Sequence, residues 1–164
     1  MRKLSVYDLH SRETWQELLD EMQSSLGLPA SLVGPDNIIL QSSGERNELC
    51  QEIRGREKAL PVICGQSQQF MAKLAQSQKN FVLELCEAGM AKLVVPVFRD
   101  QEYLGTVTAC GCLLPGTEIE RYLIEKTADI DENTIAETAA KVPIVRKEKI
   151  QNLAEDLYRR LNPS

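Results

Sequence analysis

Histidine is almost missing from this chain. His10 is the only one among 164 residues. A zinc site built on imidazoles, or a hydrolase that pairs cysteine with histidine, has almost nothing to work with. No Cys-x-x-Cys pair occurs either, which excludes zinc ribbons, thioredoxin-type redox motifs and compact ferredoxin runs. Cys-x-x-Cys-His for covalent haem is absent too. Neither a phosphate-cradling glycine loop nor a Gly-x-Ser-x-Gly elbow is present. No apolar run approaches the ~20 residues of a membrane helix. The opening Met1-Arg2-Lys3-Leu4-Ser5 has no apolar stretch of a signal peptide. Excess positive charge is also lacking. The net charge of -5 argues against general nucleic-acid binding, which needs a cationic surface to replace counterions. The expectation is a cytoplasmic protein with no membrane and no direct nucleic-acid contact.

What is present is ordinary globular composition, 43% hydrophobic and 26% charged. The length suits one domain over 1–164. Trp15, Leu18, Leu19, Met22 and Leu26 recur at spacings of three and four, predicting a helix over about Ser11 to Leu26 that ends at Gly27 and Pro29. Ser31 to Val33 and Ile38 to Leu40 read as strands of a hairpin around Gly34-Pro35-Asp36-Asn37. A loop and short helix over Ser43 to Arg54 carry Cys50, and a helix over Pro61 to Gln76 has Cys64 in its first turn. Further strands run over Phe81 to Leu85, Leu93 to Phe98 and Tyr103 to Leu114. Helices are expected over Ile119 to Thr127, Asn133 to Lys141 and Lys147 to Leu161. The core lies at about 15–128, followed by C-terminal helices over 129–161. This order predicts an α+β fold, an antiparallel sheet of about five strands with flanking N- and C-terminal helices.

Five cysteines stand in the middle of the chain: Cys50, Cys64, Cys86, Cys110 and Cys112. In a reducing compartment they point to metal or redox chemistry rather than structural disulfides. Cys110 and Cys112 are two apart on a predicted strand, which sends both sulfurs to one face of the sheet. Cys86 ends a neighbouring strand. Cys50 lies on a helix able to cover the same face. Cys64 opens a helix, where the N-terminal end favours a thiolate. On the residues alone two readings stand. These are buried core thiols, free cysteine being among the most buried residue types, or four of them are metal ligands.

From Leu49 to Leu114 the chain resembles the PocR-type sensory domain, a PAS/GAF-like input module. The matching pieces are Leu49-Cys50-Gln51-Glu52-Ile53-Arg54, Cys64, and Cys86-Glu87-Ala88-Gly89-Met90. They continue with Leu93-Val94-Val95-Pro96-Val97-Phe98, Tyr103-Leu104-Gly105 and Cys110-Gly111-Cys112-Leu113-Leu114. The resemblance extends over roughly Trp15 to Leu161. It implies a regulatory domain of transcription regulators and histidine kinases that senses short diols or similar small molecules. It also implies a shared metal or iron–sulfur site at Cys50, Cys64, Cys86 and Cys110, with Cys112 an extra residue that replaces or supplements Cys110. The cofactor expected is an iron–sulfur cluster, [4Fe–4S] favoured, or zinc. The alternative is a metal-free receptor whose cysteines line an apolar pocket. The given sequence carries no kinase or DNA-binding domain, so the expectation is either a stand-alone sensor that acts on a partner kinase or regulator, or a fragment of a longer protein.

Other signals are weaker. Asp129-Ile130-Asp131-Glu132-Asn133 opens like a calcium loop, but Thr134 stands where glycine is required and Ala140 where the closing acid should be; these residues are read as a helix cap. Glu118, Glu120 and Glu125 are assigned to a solvated face, and His10 to an exposed N-terminal position. A cysteine enzyme would need a base that only His10 among the histidines supplies, so no catalysis is expected. The apolar stripes of the first and last helices pack on their own domain or pair two subunits in a homodimer.

Overall fold

The computed structural model describes residues 3–163. After a short 3₁₀ turn at Val6–Asp8, α1 covers Arg12–Leu26, β1 Ala30–Val33, β2 Ile39–Ser43 and α2 Glu48–Arg54. A π-helical turn at Leu60–Gly65 runs into α3 at Gln66–Gln78. Then come β3 at Val82–Leu85, β4 at Ala91–Arg99, β5 at Glu102–Cys112, α4 at Arg121–Ala128, α5 at Glu132–Ala139 and α6 at Lys147–Leu161. The five strands form one sheet in the order β2-β1-β5-β4-β3, every neighbouring pair antiparallel. This is the α+β, five-stranded, helix-flanked fold that the element order predicts. Among the described residues no helix is long and apolar enough to cross a membrane.

Local chemistry explains the boundaries. Ser11 has an extended backbone, and its hydroxyl accepts the Thr14 N–H at 3.1 Å, starting α1. Asp131 does the same for α5 through Thr134 at 3.0 Å, so the calcium-like stretch is a cap. Pro61 sits at the start of the π-helical turn, where its missing N–H leaves no bond unmade. That turn widens the backbone by one residue and carries Cys64. The chain is already helical from Leu60, so the helix N-terminus expected at Cys64 is not there.

The sheet separates two environments. On one face, Trp15, Leu19 and Met22 of α1 and Ile150, Ala154 and Leu157 of α6 pack with Leu93, Val95, Val107 and Ala109 of the central strands. The indole N–H of Trp15 donates to the Val6 carbonyl at 2.9 Å, so this large ring is buried without an orphaned donor. Both apolar stripes are thus consumed within the domain, and Leu161 belongs to the same cluster as Val6. On the other face, α2, the π-helical turn, α4 and α5 close a second cluster around Leu49, Ile53, Ile63, Met90, Ile124 and Ile135. Met71 and Ala75 of α3 pack with Val82 and Val94.

Candidate functional site

The second face is incompletely filled. A cavity of about 310 Å³ lies between the sheet, α2 and the π-helical turn, and Cys50, Cys64, Cys86 and Cys110 all line it. All four are partly exposed within it. Ser31, Gln68 and Thr108 add hydroxyl and amide groups, and Val33, Ile53 and Ile63 supply apolar wall.

Each thiol arrives by a different local device. Asn47 caps α2: its Oδ1 accepts the Cys50 N–H at 2.8 Å, while its Nδ2 donates to the Gly111 carbonyl at 2.9 Å. One side chain therefore ties the start of α2 to the end of β5, and holds Cys50 beside Cys110. The Cys50 Sγ–H points to Met90 Sδ at 3.6 Å. Cys86 opens a turn in which its N–H donates to the Met90 carbonyl at 2.7 Å and its own carbonyl accepts the Gly89 N–H at 2.9 Å. Gly89 has φ 89°, and a Cβ there would stand 2.5 Å from the Glu118 carbonyl oxygen. The glycine of the Cys-x-x-Gly-Met pattern is thus a geometric requirement of this turn.

Cys112 corrects the sequence expectation. Ala91 pairs with Cys112 and Lys92 with Cys110, so Gly111 is an extra residue on β5. This is a β-bulge, and Gly111 adopts φ 102°. One inserted residue inverts the alternation of side chains. Thr106, Thr108 and Cys110 therefore share the parity of the cavity face, while Val107, Ala109 and Cys112 belong to the α1/α6 core. Cys112 is fully buried there, and the i, i+2 rule fails because the strand is not regular between the two cysteines. Gly111 is needed twice over: for its φ, and because a Cβ would come within 3.1 Å of Asn47 Nδ2.

The electrostatics of the cavity are one-sided. Arg46 Nη1 lies 3.7 Å from Cys110 Sγ, Lys92 stands directly across β4 and β5 from Cys110, and Arg54 also lines the wall. Among the described residues no aspartate or glutamate does. Burial pushes the Cys50 thiol far up, with the neighbouring Cys110, Cys86 and Cys64 adding to the shift. Burial also raises Cys86 and lowers the Lys92 ammonium. Cys112 is pushed up to about 11, again mainly by burial. In this charge state Cys50 and Cys86 are neutral at pH 7. Arg46, Asn47, Met90 and Lys92 escape sequence reasoning focused on sulfur. Gly111, flanked by two cysteines, was the one visible sign of an irregular strand.

Among the described residues no group of three or more His, Cys, Asp or Glu side chains is arranged to hold a metal ion. A single zinc ion needs its sulfurs about 2.3 Å from one point, and here the thiols stand around an open volume instead. A polynuclear cluster distributes its cysteines over several irons, so its ligands need not meet at a single point. His10 is exposed, edge-on to Trp15 at 5.2 Å, and stands apart from this set.

An antiparallel sheet with a packed helical face and an open, polar-and-thiol-lined face has the build of a sensory input domain. The chain belongs to the PocR sensory-domain family: the family model described as "Sensory domain found in PocR" matches residues 8–162. It is a signal-sensing regulatory domain. No curated protein matches it. Among solved structures it is similar to the C-terminal domain of a Vibrio cholerae protein named as a transcriptional regulator. That match has 10% identity, 80% of this chain and 93% of the other covered, and a TM-score of 0.39.

Proposed function

We propose that the cavity is the sensory site of the domain, and that Cys50, Cys64, Cys86 and Cys110 hold an iron–sulfur cluster in it. The observation that carries this reading is the convergence of four cysteines, far apart in sequence, on one cavity. When bound, the cluster would supply a redox-sensitive or ligand-sensitive centre. The chain's own contribution is to position the sulfurs through Asn47, the Gly89 turn and the Gly111 bulge, and to set cations beside them. β5 carries Cys110 on the cavity side and Cys112 in the helical core, so a change at the cavity is passed to α1 and α6, and from there to a partner kinase or regulator. Among the described residues neither histidine nor carboxylate lines the cavity to serve as the usual base for a nucleophilic thiol, which supports a binding role over a catalytic one.

Anaerobic purification followed by metal analysis and an absorption spectrum tests the reading. Broad absorbance near ~400 nm with bound iron is the expected result, and Cys86→Ser should lower the metal content sharply. Equal metal in wild type and variant would sink the cluster. One zinc per chain would mean that the thiols close in on a single ion. A second reading, a metal-free receptor for a short diol or similar molecule, is favoured by one observation: the thiols are not gathered around an ion-sized point. Colourless, metal-free protein is its expected signature.

A further inference from the structure

Three cations face the cavity, in a chain whose net charge is -5. Arg46, Arg54 and Lys92 line it, and among the described residues no carboxylate does. Among the described residues Arg56 pairs with Glu52, Lys141 with Glu48, and Arg160 with Glu21 and Asp156. Among the described residues none of the three cavity cations has a carboxylate within ion-pair distance. Partly buried charge without a partner is costly. The rest of the wall sets apolar Val33, Ile53 and Ile63 beside the polar Ser31, Gln68 and Thr108. A site with cations at hand and hydrocarbon around them matches a small molecule with an anionic head and a short apolar body.

We propose that the signal molecule of this cavity is a short aliphatic carboxylate, recognised by Arg46, Arg54 and Lys92. The inference rests on the cavity's assignment as the sensory site but not on the cluster. It names a ligand charge that a diol receptor would not need. Arginine offers a paired donor fork to a carboxylate and lysine a point charge, while the ~310 Å³ volume limits the body to a few carbons.

Propionate and 1,2-propanediol have the same number of carbons and differ in charge, so they decide the matter. Calorimetric titrations of anaerobically purified protein, metal-assayed beforehand, should give saturable propionate binding, with the diol at least tenfold weaker. Lys92→Met and Arg54→Gln should each weaken propionate by about tenfold to a hundredfold, the usual loss of one charge-assisted hydrogen bond. Arg54 ends α2 and is half-buried, so its variant keeps the test alive if the strand variant fails to fold. The proposal is overturned if the diol binds as tightly as propionate, if no propionate heat appears, or if both folded variants bind propionate unchanged. Variants that lose metal in a protein that never bound propionate would also overturn it, by assigning the cations to the thiolates. The metal assay reports on the cluster independently of these outcomes.

Discussion

The two faces of the sheet are built from the same strands and serve opposite ends. Toward α1 and α6, β4 and β5 present Leu93, Val95, Val107, Ala109 and Cys112, all closed off by hydrocarbon. Toward α2 and the π-helical turn, the same two strands present Lys92, Thr108 and Cys110, and the space above them is left open. One face is packed to the density of an interior. The other gives up packing and retains polar, cationic and thiol groups. Stability is therefore concentrated on one side of a sheet whose other side is free to be specialised, because the period-2 alternation lets each face be composed separately. The Gly111 bulge lets a single strand end serve both, with Cys110 on one side and Cys112 on the other.

Three experiments sharpen or break this contrast. The largest effect is expected for Trp15→Ala on the packed face. Removing a fully buried indole should cost about 3–5 kcal/mol, seen as a drop in urea midpoint, whereas the thiol-side Cys86→Ser should change stability far less than metal content. Comparable losses of stability would mean that the faces are not differentiated. Next comes Gly111→Ala, at the point where the faces meet. An alanine forced to positive φ and against Asn47 should cost more than ~1 kcal/mol and should also raise the alkylation of the cavity thiols, measured by mass spectrometry. A destabilised protein with unchanged thiol labelling would show that the bulge serves the fold alone.

The smallest effect is in pH. Burial raises Cys112 from 9.0 to about 11, and Cys50 and Cys86 are shifted the same way. A raised acid binds its proton more tightly in the folded state, so its contribution is fully present below pH 9 and is lost as pH rises toward 11. In metal-free protein, the Cys112 share of stability should fall by on the order of 0.5–1 kcal/mol between pH 8 and 9.5, with Cys50 and Cys86 adding losses in the same direction. Cys112→Ala should remove only the helix-side share. A flat profile in the wild type would remove the claim that these thiols are held protonated.

Much of the architecture was legible in sequence. Trp15, Leu19, Met22 and Leu26 at helical spacing announced α1, and the Gly34-Pro35-Asp36-Asn37 turn announced the β1–β2 hairpin, where Val33 faces Ile39. Both signals are local, carried by periodicity or by turn chemistry within a few residues. The helix over Pro61 to Gln76 was legible in existence but not in kind, because one widened turn in the hydrogen-bond ladder leaves no mark in the apolar pattern. The cations of the cavity were the least visible. Arg46 and Lys92 are ordinary surface residue types in a list of charges. Only long-range packing brings them to the same sulfur.

By itself, the sequence determined the order and type of the elements, the family, and the scarcity of histidine that leaves cysteine as the chief soft ligand. Tertiary structure alone decided which cysteines meet. Cys110 and Cys112 are separated by one glycine, and a regular strand would have put both sulfurs in the cavity. The inserted residue on β5 reverses the side-chain parity beyond it, which sends Cys112 into the hydrocarbon behind the sheet and leaves Cys110 between Arg46 and Lys92.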